Sequence, residues 1–342
     1  MSSQRRTSRL AAIAMAAAFC VSVPLVLGFL KHLHPAFDSF AHLRAHLAVL
    51  LAVLSLPLLF FASWRAHGLL ALALAVAAFT SVLDVPLLQR LSGGPAEASP
   101  PDVARYRLLQ LNLRYDNSSP KEVLSLIGRS QPDVITLEEV SAMWRRELAL
   151  IEKAYPHSLF CSRPGVGGVA ILSRRPFLHP SRAECFNKGA LAIATVSFGG
   201  TAVDIAAIHL GWPWPFEQSR QLTHVTPTLK RKMGATAILA GDLNAVSWSA
   251  AAEQLAAAGG LTRLRHIGPT WLAQPLPNRL RRVAGLPIDN IFVKGRIAVV
   301  ATRRLDDAGS DHLPVLLEFD VLPQLKGSQT LQASVAALQA VR

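Results

Sequence analysis

Three apolar runs in residues 1–90 constrain this chain more than anything else in it: Ala11–Leu30, Leu47–Trp64 and Leu69–Leu88. Crossing the hydrocarbon core of a bilayer takes ~20 helical residues, and each run approaches that length. None has the polar periodicity of a surface helix. Asp38 and Asp84 are the only acids in the region. A signal peptide accounts for the first run but not the next two, and a buried core helix explains one run better than three. The expectation is three transmembrane helices. Arg5, Arg6 and Arg9 precede the first and Arg65 follows the second, against Lys31 and Arg44 between them, which places the N-terminus in the cytoplasm. Three crossings then carry the rest of the chain outward, into the periplasm if the membrane is a bacterial inner membrane.

After residue 90 the sequence reads as a soluble domain. "SGGPAEASPPD" (Ser92–Asp102) is a linker by its Gly, Pro and Ser content. The boundaries are a membrane module over 1–90, a linker over 91–103, a domain over 104–320 and a tail over 321–342. The tail carries a short amphipathic pattern at Leu331, Val335 and Leu338. "RYRLLQLNL", "DVITLEEV", "GVAILSRRP", "ALAIATVSF", "AVDIAAIHL", "TAILAGDLN", "IDNIFVKG" and "DHLPVLLEF" are strands, and helices fit "PKEVLSLIGRSQ", Ser141–Ala154, Pro215–Met233 and Ser249–Ala258. Strand runs with few helices between them point to mixed or antiparallel sheets. Cys20 lies in the first apolar run, which leaves Cys161 and Cys185 for the outer domain. An oxidising compartment permits a bridge between them, and two free thiols are the equal alternative. The formal net charge of +13 favours anionic partners such as nucleic acid, phospholipid headgroups or a phosphoester. A basic surface facing an anionic membrane explains it as well.

The ends of the strands carry the chemistry. Asn112 closes "LLQLN", Glu138 and Glu139 close "DVITL", His209 closes "DIAAI", and Asp242 with Asn244 follows "AILAG". Asp289 opens "IDNIF", while Asp311 and His312 open the last strand. Strand termini that supply only Asn, Glu, His and Asp point to one polar cleft at a sheet edge, where a rigid scaffold holds functional groups. Asp242 and Asn244 are two residues apart, which puts both side chains on one face of an extended segment.

The motifs "LNLR", "PDVITLEEV", "HL", "GDLNA", "IDNIF" and "GSDHLPV" resemble, in sequence and order, the endonuclease/exonuclease/phosphatase superfamily with its deoxyribonuclease-I-like fold. The resemblance spans roughly residues 104–320. Together with the membrane module it looks like a group of membrane-anchored bacterial members. It implies a four-layer α/β sandwich: two mixed β-sheets face to face with helices outside. It further implies Mg²⁺ or Mn²⁺, hard cations that take oxygen ligands and few protein contacts. By resemblance Glu139 is the main metal ligand, Asn112 lies beside it and Asp311 assists. Glu138 stands where many relatives carry Gln, so either acid can face the ion. Asp242 positions or deprotonates the attacking water, Asn244 and His209 hold phosphoryl oxygens, and Asp289 orients His312. His312 is then a general base or a phosphate-binding cation. Arg114 and Trp271 are candidate substrate contacts.

The implied activity is a membrane-anchored, metal-dependent phosphoesterase acting on nucleic acid, a phospholipid headgroup or a small phosphoester. The competing class is a scaffold or sensor that keeps the fold without the chemistry. A channel role is weaker, because the apolar runs lack paired internal charges. "GWPWPFEQ" (Gly211–Gln218) sets two tryptophans at a cleft rim or packs a Pro-rich turn. "KRKMG" (Lys230–Gly234) is the solvated end of a helix.

Overall fold

The computed structural model describes residues 2–83, 104–265, 267–273 and 276–323. It corrects the expectation of three membrane-length helices. Among the described residues one helical stretch, Arg9–Leu30, is long and apolar enough to cross a bilayer. It contains most of α1 (Ser2–Leu27). The second apolar run lies in α3 (Arg44–Ser55), set at 65° to α2 (Pro35–His42), and this bent pair counts as at most one further span. Pro57 stops α3, because its ring blocks the preceding turn and removes a backbone donor. The third run gives α4 (Arg65–Thr80), shorter than a span, which ends in a turn at residues 81–83; residues 84–88 of that run lie outside the described residues. Ala18, Ala48, Ala75 and Ala78 meet where these helices pack, so small side chains let the backbones approach closely. The apolar faces of α1 point away from the protein, since only 17% of its span is buried.

Two βαβ crossovers of the same design build the remainder. In the first, β1 (Arg105–Asn112) passes through α5 (Pro120–Ser130) to the parallel strand β2 (Val134–Val140). Pro120 starts α5 at a position that needs no backbone donor, and Val123, Leu126 and Ile127 give it one buried face. After α6 (Ala142–Ala149) come β3 (His157–Phe160), β4 (Gly168–Ser173), β5 (Glu184–Phe186) and β6 (Leu191–Phe198). The second crossover runs from β7 (Thr201–His209) through α7 (Gln218–Lys232) to the parallel strand β8 (Ala237–Asp242). It is followed by α8 (Ala250–Gly259), β9 (Thr262–Arg263), β10 (Asp289–Lys294), β11 (Ile297–Arg304) and β12 (Val315–Val321).

The strands form two mixed six-stranded sheets, in the orders β11-β12-β1-β2-β4-β3 and β5-β6-β7-β8-β10-β9. Leu108, Ile171 and Phe319 from one sheet meet Ile205, Ile238 and Ile291 from the other. Val123, Ile127 and Trp144 seal the outer face of the first, and Leu222, Val225 and Leu255 that of the second. The result is helices, sheet, sheet, helices. A disulfide joins Cys161, just after β3, to Cys185 in β5, and so ties the two sheets together.

Some local expectations shift. The helix expected over Ser141–Ala154 ends at Ala149. Strands β3, β5, β9 and β11 were not read from the sequence, being short or half-exposed at sheet edges. The linker and the amphipathic tail lie outside the described residues.

The helical module docks on the domain through polar contacts. Asp38, buried in α2, accepts hydrogen bonds from the backbone N–H groups of Ala250 (2.7 Å) and Ala251 (3.2 Å) at the start of α8. Lys31 donates to the Trp248 carbonyl at 2.8 Å, and Trp248 Nε1 donates to the Ala41 carbonyl at 2.8 Å.

Candidate active site

Strand direction and register bring the polar termini to one edge. In a parallel pair both carboxyl ends lie on the same side, which is where ligands sit in such sheets. Asn112 is level with Glu138 across β1 and β2, and His209 with Asp242 across β7 and β8. Strand β10 runs the other way, so its first residue, Asp289, pairs with Asp242. Likewise His312 precedes β12 at the end where β1 finishes. Asn112 joins the sheets, donating from Nδ2 to Glu139 Oε1 (3.1 Å) and Asp242 Oδ2 (3.0 Å).

Local backbone shapes aim these groups. The β2–β4 register shifts between Leu137 and Val140, and Glu139 there has φ 57°. That left-handed conformation is costly for a residue with a side chain and turns Glu138 and Glu139 to different surroundings. Asn244 has φ 46°, and its backbone N–H donates to Asp242 Oδ1 at 2.7 Å. Gly241 is required just before Asp242: its φ is 157°, and a Cβ would collide with the Ile208 carbonyl.

His312 is held by its neighbours. Nδ1 lies 2.8 Å from Asp289 Oδ2, and Nε2 lies 3.6 Å from Asp242 Oδ2. Burial alone would lower its pKa, but the Asp289 and Asp242 carboxylates outweigh that and push it up to about 10. Burial works against the Asp289 charge too, yet the His312 cation holds that carboxyl below its ordinary range. Asp242 is pushed up to about 7 by burial, against the opposing pull of His312. His209 Nε2 is 3.7 Å from the same Asp242 oxygen, and burial, aided by Arg163, pushes its pKa down to about 3. The site thus favours the imidazolium form at His312, the neutral imidazole at His209 and a carboxyl at Asp242 that holds its proton more tightly than an ordinary aspartate.

The two adjacent acids separate clearly. Glu139 is partly exposed at the cleft, bonded by Asn112 and by the Tyr115 backbone N–H (2.9 Å), with its pKa raised mainly by burial. Glu138 is fully buried below it, and Gln110 Nε2 donates to it (2.8 Å) and to Asp289 Oδ1 (2.7 Å). Burial, then the charge of Asp289, pushes Glu138 well above the carboxylate range.

The predicted residues gather with two qualifications. Asp311 sits at the rim, accepting a hydrogen bond from Trp271 Nε1 at 3.1 Å. Arg114 turns to Asp116, with Nε 2.7 Å from its carboxylate. Sequence reasoning missed Gln110, the buried state of Glu138, and Ser310, which donates to the Asn112 carbonyl (2.7 Å) and accepts from the His312 N–H (3.1 Å). A polar residue in the middle of an otherwise apolar "LLQLN" was the only hint of Gln110.

The donor set fits a hard divalent cation. Glu138, Glu139 and Asp242 are all pushed above their ordinary values, chiefly by burial, so each is costly to hold as a bare carboxylate and a bound cation would relieve that cost. Asp242, Asp289 and His312 also place ligand atoms within 4.8 Å of one another. His312 Nδ1 is already engaged with Asp289, so the oxygens of Glu139, Asn112 and Asp311 suit Mg²⁺ or Mn²⁺ better.

Comparison with known proteins agrees with this geometry. The sequence model of the Endonuclease/Exonuclease/phosphatase family matches residues 109–312, from β1 to the imidazole held by Asp289. An endonuclease/exonuclease/phosphatase from Beutenbergia cavernae has the same fold, with 21% identity, a TM-score of 0.50, and coverage of 64% of this chain and 72% of its own. So does the 3′ phosphatase NExo from Neisseria, bound to a product DNA hairpin, with 20% identity, a TM-score of 0.51, and coverage of 63% and 99%. A UPF0294 protein of Vibrio vulnificus is 32% identical over 117 residues, which are 34% of this chain and 38% of the relative.

Proposed function

The chain belongs to the endonuclease/exonuclease/phosphatase family, and from that premise we propose that it is a membrane-anchored, divalent-metal-dependent phosphoesterase. The observation that carries this reading is the row His209, Asp242, Asp289, His312, in which neighbouring buried groups are driven to opposite protonation states. Groups pushed apart in this way serve as separate acids and bases.

A bound Mg²⁺ or Mn²⁺ would neutralise the phosphoryl oxygens and polarise the ester. Glu139 and Asn112, with Asp311 at the rim, would hold it. Asp242, made more basic than an ordinary aspartate by its burial, accepts the proton of the attacking water and is steered by the Asn244 N–H. His312, kept cationic by Asp289, binds a phosphoryl oxygen through Nε2 and serves as cation, not base. Neutral His209 and the Asn244 carboxamide supply further contacts. Asp242 and His312 act in one cluster, so loss of either removes most of the turnover.

The membrane assignment rests on α1 as the crossing helix, with the α3–α4 hairpin packed beside it. Arg5, Arg6 and Arg9 favour a cytoplasmic N-terminus, and one crossing leaves the catalytic domain in the periplasm. The Cys161–Cys185 bond is at home in that oxidising compartment. The substrate is nucleic acid or a phospholipid; the Neisseria phosphatase with its DNA hairpin shows that this fold accommodates the former.

The test uses the full chain in detergent with bis(p-nitrophenyl) phosphate and p-nitrophenyl phosphate, with Mg²⁺, Mn²⁺ or chelator. Metal-dependent hydrolysis that Asp242→Asn and His312→Ala each abolish is expected. A folded protein that binds no Mn²⁺ and hydrolyses neither ester would overturn the reading in favour of a non-catalytic scaffold.

A further inference from the structure

We propose that the helical module and the catalytic domain together form an acyl-chain site, so that the substrate is a phosphate-bearing membrane lipid. The inference rests on the phosphoesterase reading and names its substrate class. Between α3, α4 and the loops around β10 lies a cavity of about 800 Å³. Leu50, Val53 and Phe79 line it from the helices; Leu264, Val283 and Leu286 line it from the catalytic domain. The size falls within the ~300–1,000 Å³ of small-molecule sites. An apolar space of this kind, continuous with helix faces that meet lipid, selects a hydrocarbon chain over any polar occupant.

The cavity ends beside the chemistry. Its wall includes Asp289 and Asn290, the first residues of β10, and Asp289 is the partner of His312. His42 also lines it, deeply buried, with Nδ1 2.8 Å from the Asp38 carbonyl, so that the ring is locked to α2.

An aromatic rim lies at the same level. The loop after His209 exposes Trp212, Trp214 and Phe216. The Trp214 carbonyl accepts from Ser39 at 3.0 Å, and its ring meets His34 edge-on at 6.2 Å, so the loop abuts the turn between α1 and α2. Trp212 in turn packs edge-on against Trp271 at 5.3 Å, and Trp271 reaches His312 at 6.5 Å. Amphipathic rings of this kind concentrate at the headgroup layer of a membrane. They form a chain from that layer to the proposed phosphate site.

The experiment uses the full chain in vesicles of phosphatidylethanolamine and phosphatidylglycerol, a fraction of the latter carrying a diazirine in mid-acyl chain. Illumination of the Asp242→Asn protein is expected to give adducts on peptides containing Leu264, Val283 or Leu286, on the catalytic-domain wall. Adducts confined to the outer faces of α1, α3 and α4 would overturn the proposal. In parallel, Val53→Trp and, separately, Val283→Trp are made in the otherwise unchanged chain. Each is expected to slow vesicle-lipid hydrolysis about tenfold, as if some two chain methylenes were left unburied. Hydrolysis of bis(p-nitrophenyl) phosphate should stay within about twofold. Soluble-ester or plasmid-DNA turnover without lipid turnover, or lipid turnover indifferent to both variants, overturns the acyl site and leaves the phosphoesterase standing. Adducts on the catalytic wall with no ester hydrolysed at all overturn the phosphoesterase and, with it, the substrate assignment, leaving a lipid-binding site alone.

Discussion

Oδ2 of Asp289 meets Nδ1 of His312 at 2.8 Å while Oδ1 of the same carboxyl takes a hydrogen bond from Gln110 at 2.7 Å. A carboxylate held on both sides cannot rotate, so the imidazole it orients keeps Nε2 toward Asp242. The arrangement fixes both the direction of the ring and its charge.

That charge sets the pH profile. Asp242 becomes an effective proton acceptor as pH rises through about 7, and His312 loses its proton only near 10. The expected plot of kcat/KM against pH is a bell between those limits. Asp289→Asn should move the alkaline limb down toward the ordinary histidine value of ~6.5. An alkaline limb that stays in place in the variant would refute the assignment.

Stability should respond in the opposite sense at Asp242. Its folded pKa, about 7, lies above the ordinary 3.8, so the folded state binds the extra proton and loses stability as pH rises through that window. Asp242→Asn should therefore raise the melting point of the metal-free protein at pH 8, by an amount worth about 1–3 kcal/mol once the lost attraction to His312 is counted. At pH 4 the gain should vanish. Thermal melts at both pH values decide it, and the same variant should lose activity by ~10²-fold or more.

The two adjacent glutamates should part company. Glu138→Gln replaces a buried acid, already driven toward its neutral form, by a neutral isostere and is expected to leave Mn²⁺ affinity within severalfold. Glu139→Gln, at the cleft, should weaken Mn²⁺ binding by ~10²-fold or more, beyond the usual effect of an outer-shell residue. Titration calorimetry on the two purified variants makes the comparison. Equal losses would mean that the buried acid reaches the ion.

The Cys161–Cys185 bond closes a loop with a sequence separation of 24. Its removal by Cys161→Ser with Cys185→Ser should cost about 3 kcal/mol through the freedom returned to the unfolded chain. Turnover of the protein that remains folded should be unaffected, since neither sulfur touches the polar edge. Denaturant titration with and without reductant provides the measurement.

How far the sequence discloses this site depends on which interaction places each group. His209, Asp242 and Asp289 were legible, because a strand's last or first polar residue ends up at the sheet edge whatever its neighbours do. The pairing of Asp289 with His312 needed the family resemblance, as their separation of 23 residues carries no local signal. Gln110 and the burial of Glu138 were hidden, because the space between two sheets is defined only once both exist. The pairing of Arg114 with Asp116, two residues on, is local, and the strand-end pattern carried no sign of it. Of the three apolar runs, the first lies in a helix of membrane-crossing length, the second belongs to a bent pair that counts at most as one further span, and the third gives a shorter helix. Pro57 and the 65° bend before Arg44 shorten helices that composition alone would extend.

From inside the helical module, the Asp38 carboxylate accepts the first two backbone N–H groups of α8, more than two hundred residues away in sequence, and completes the cap that the helix's own Ser249 begins at Ala252. A helix start that relies on a distant residue is a shared part, and neither half owns it. A protease that nicks the chain within 84–103 should therefore leave a single particle on gel filtration, joined by hydrogen bonds where the peptide has been cut. Conversely, the region after residue 103 expressed alone would begin life with a frayed α8 next to the loop that carries Asn244. Activity lost in such a fragment would speak of the missing carboxylate before it spoke of the missing membrane.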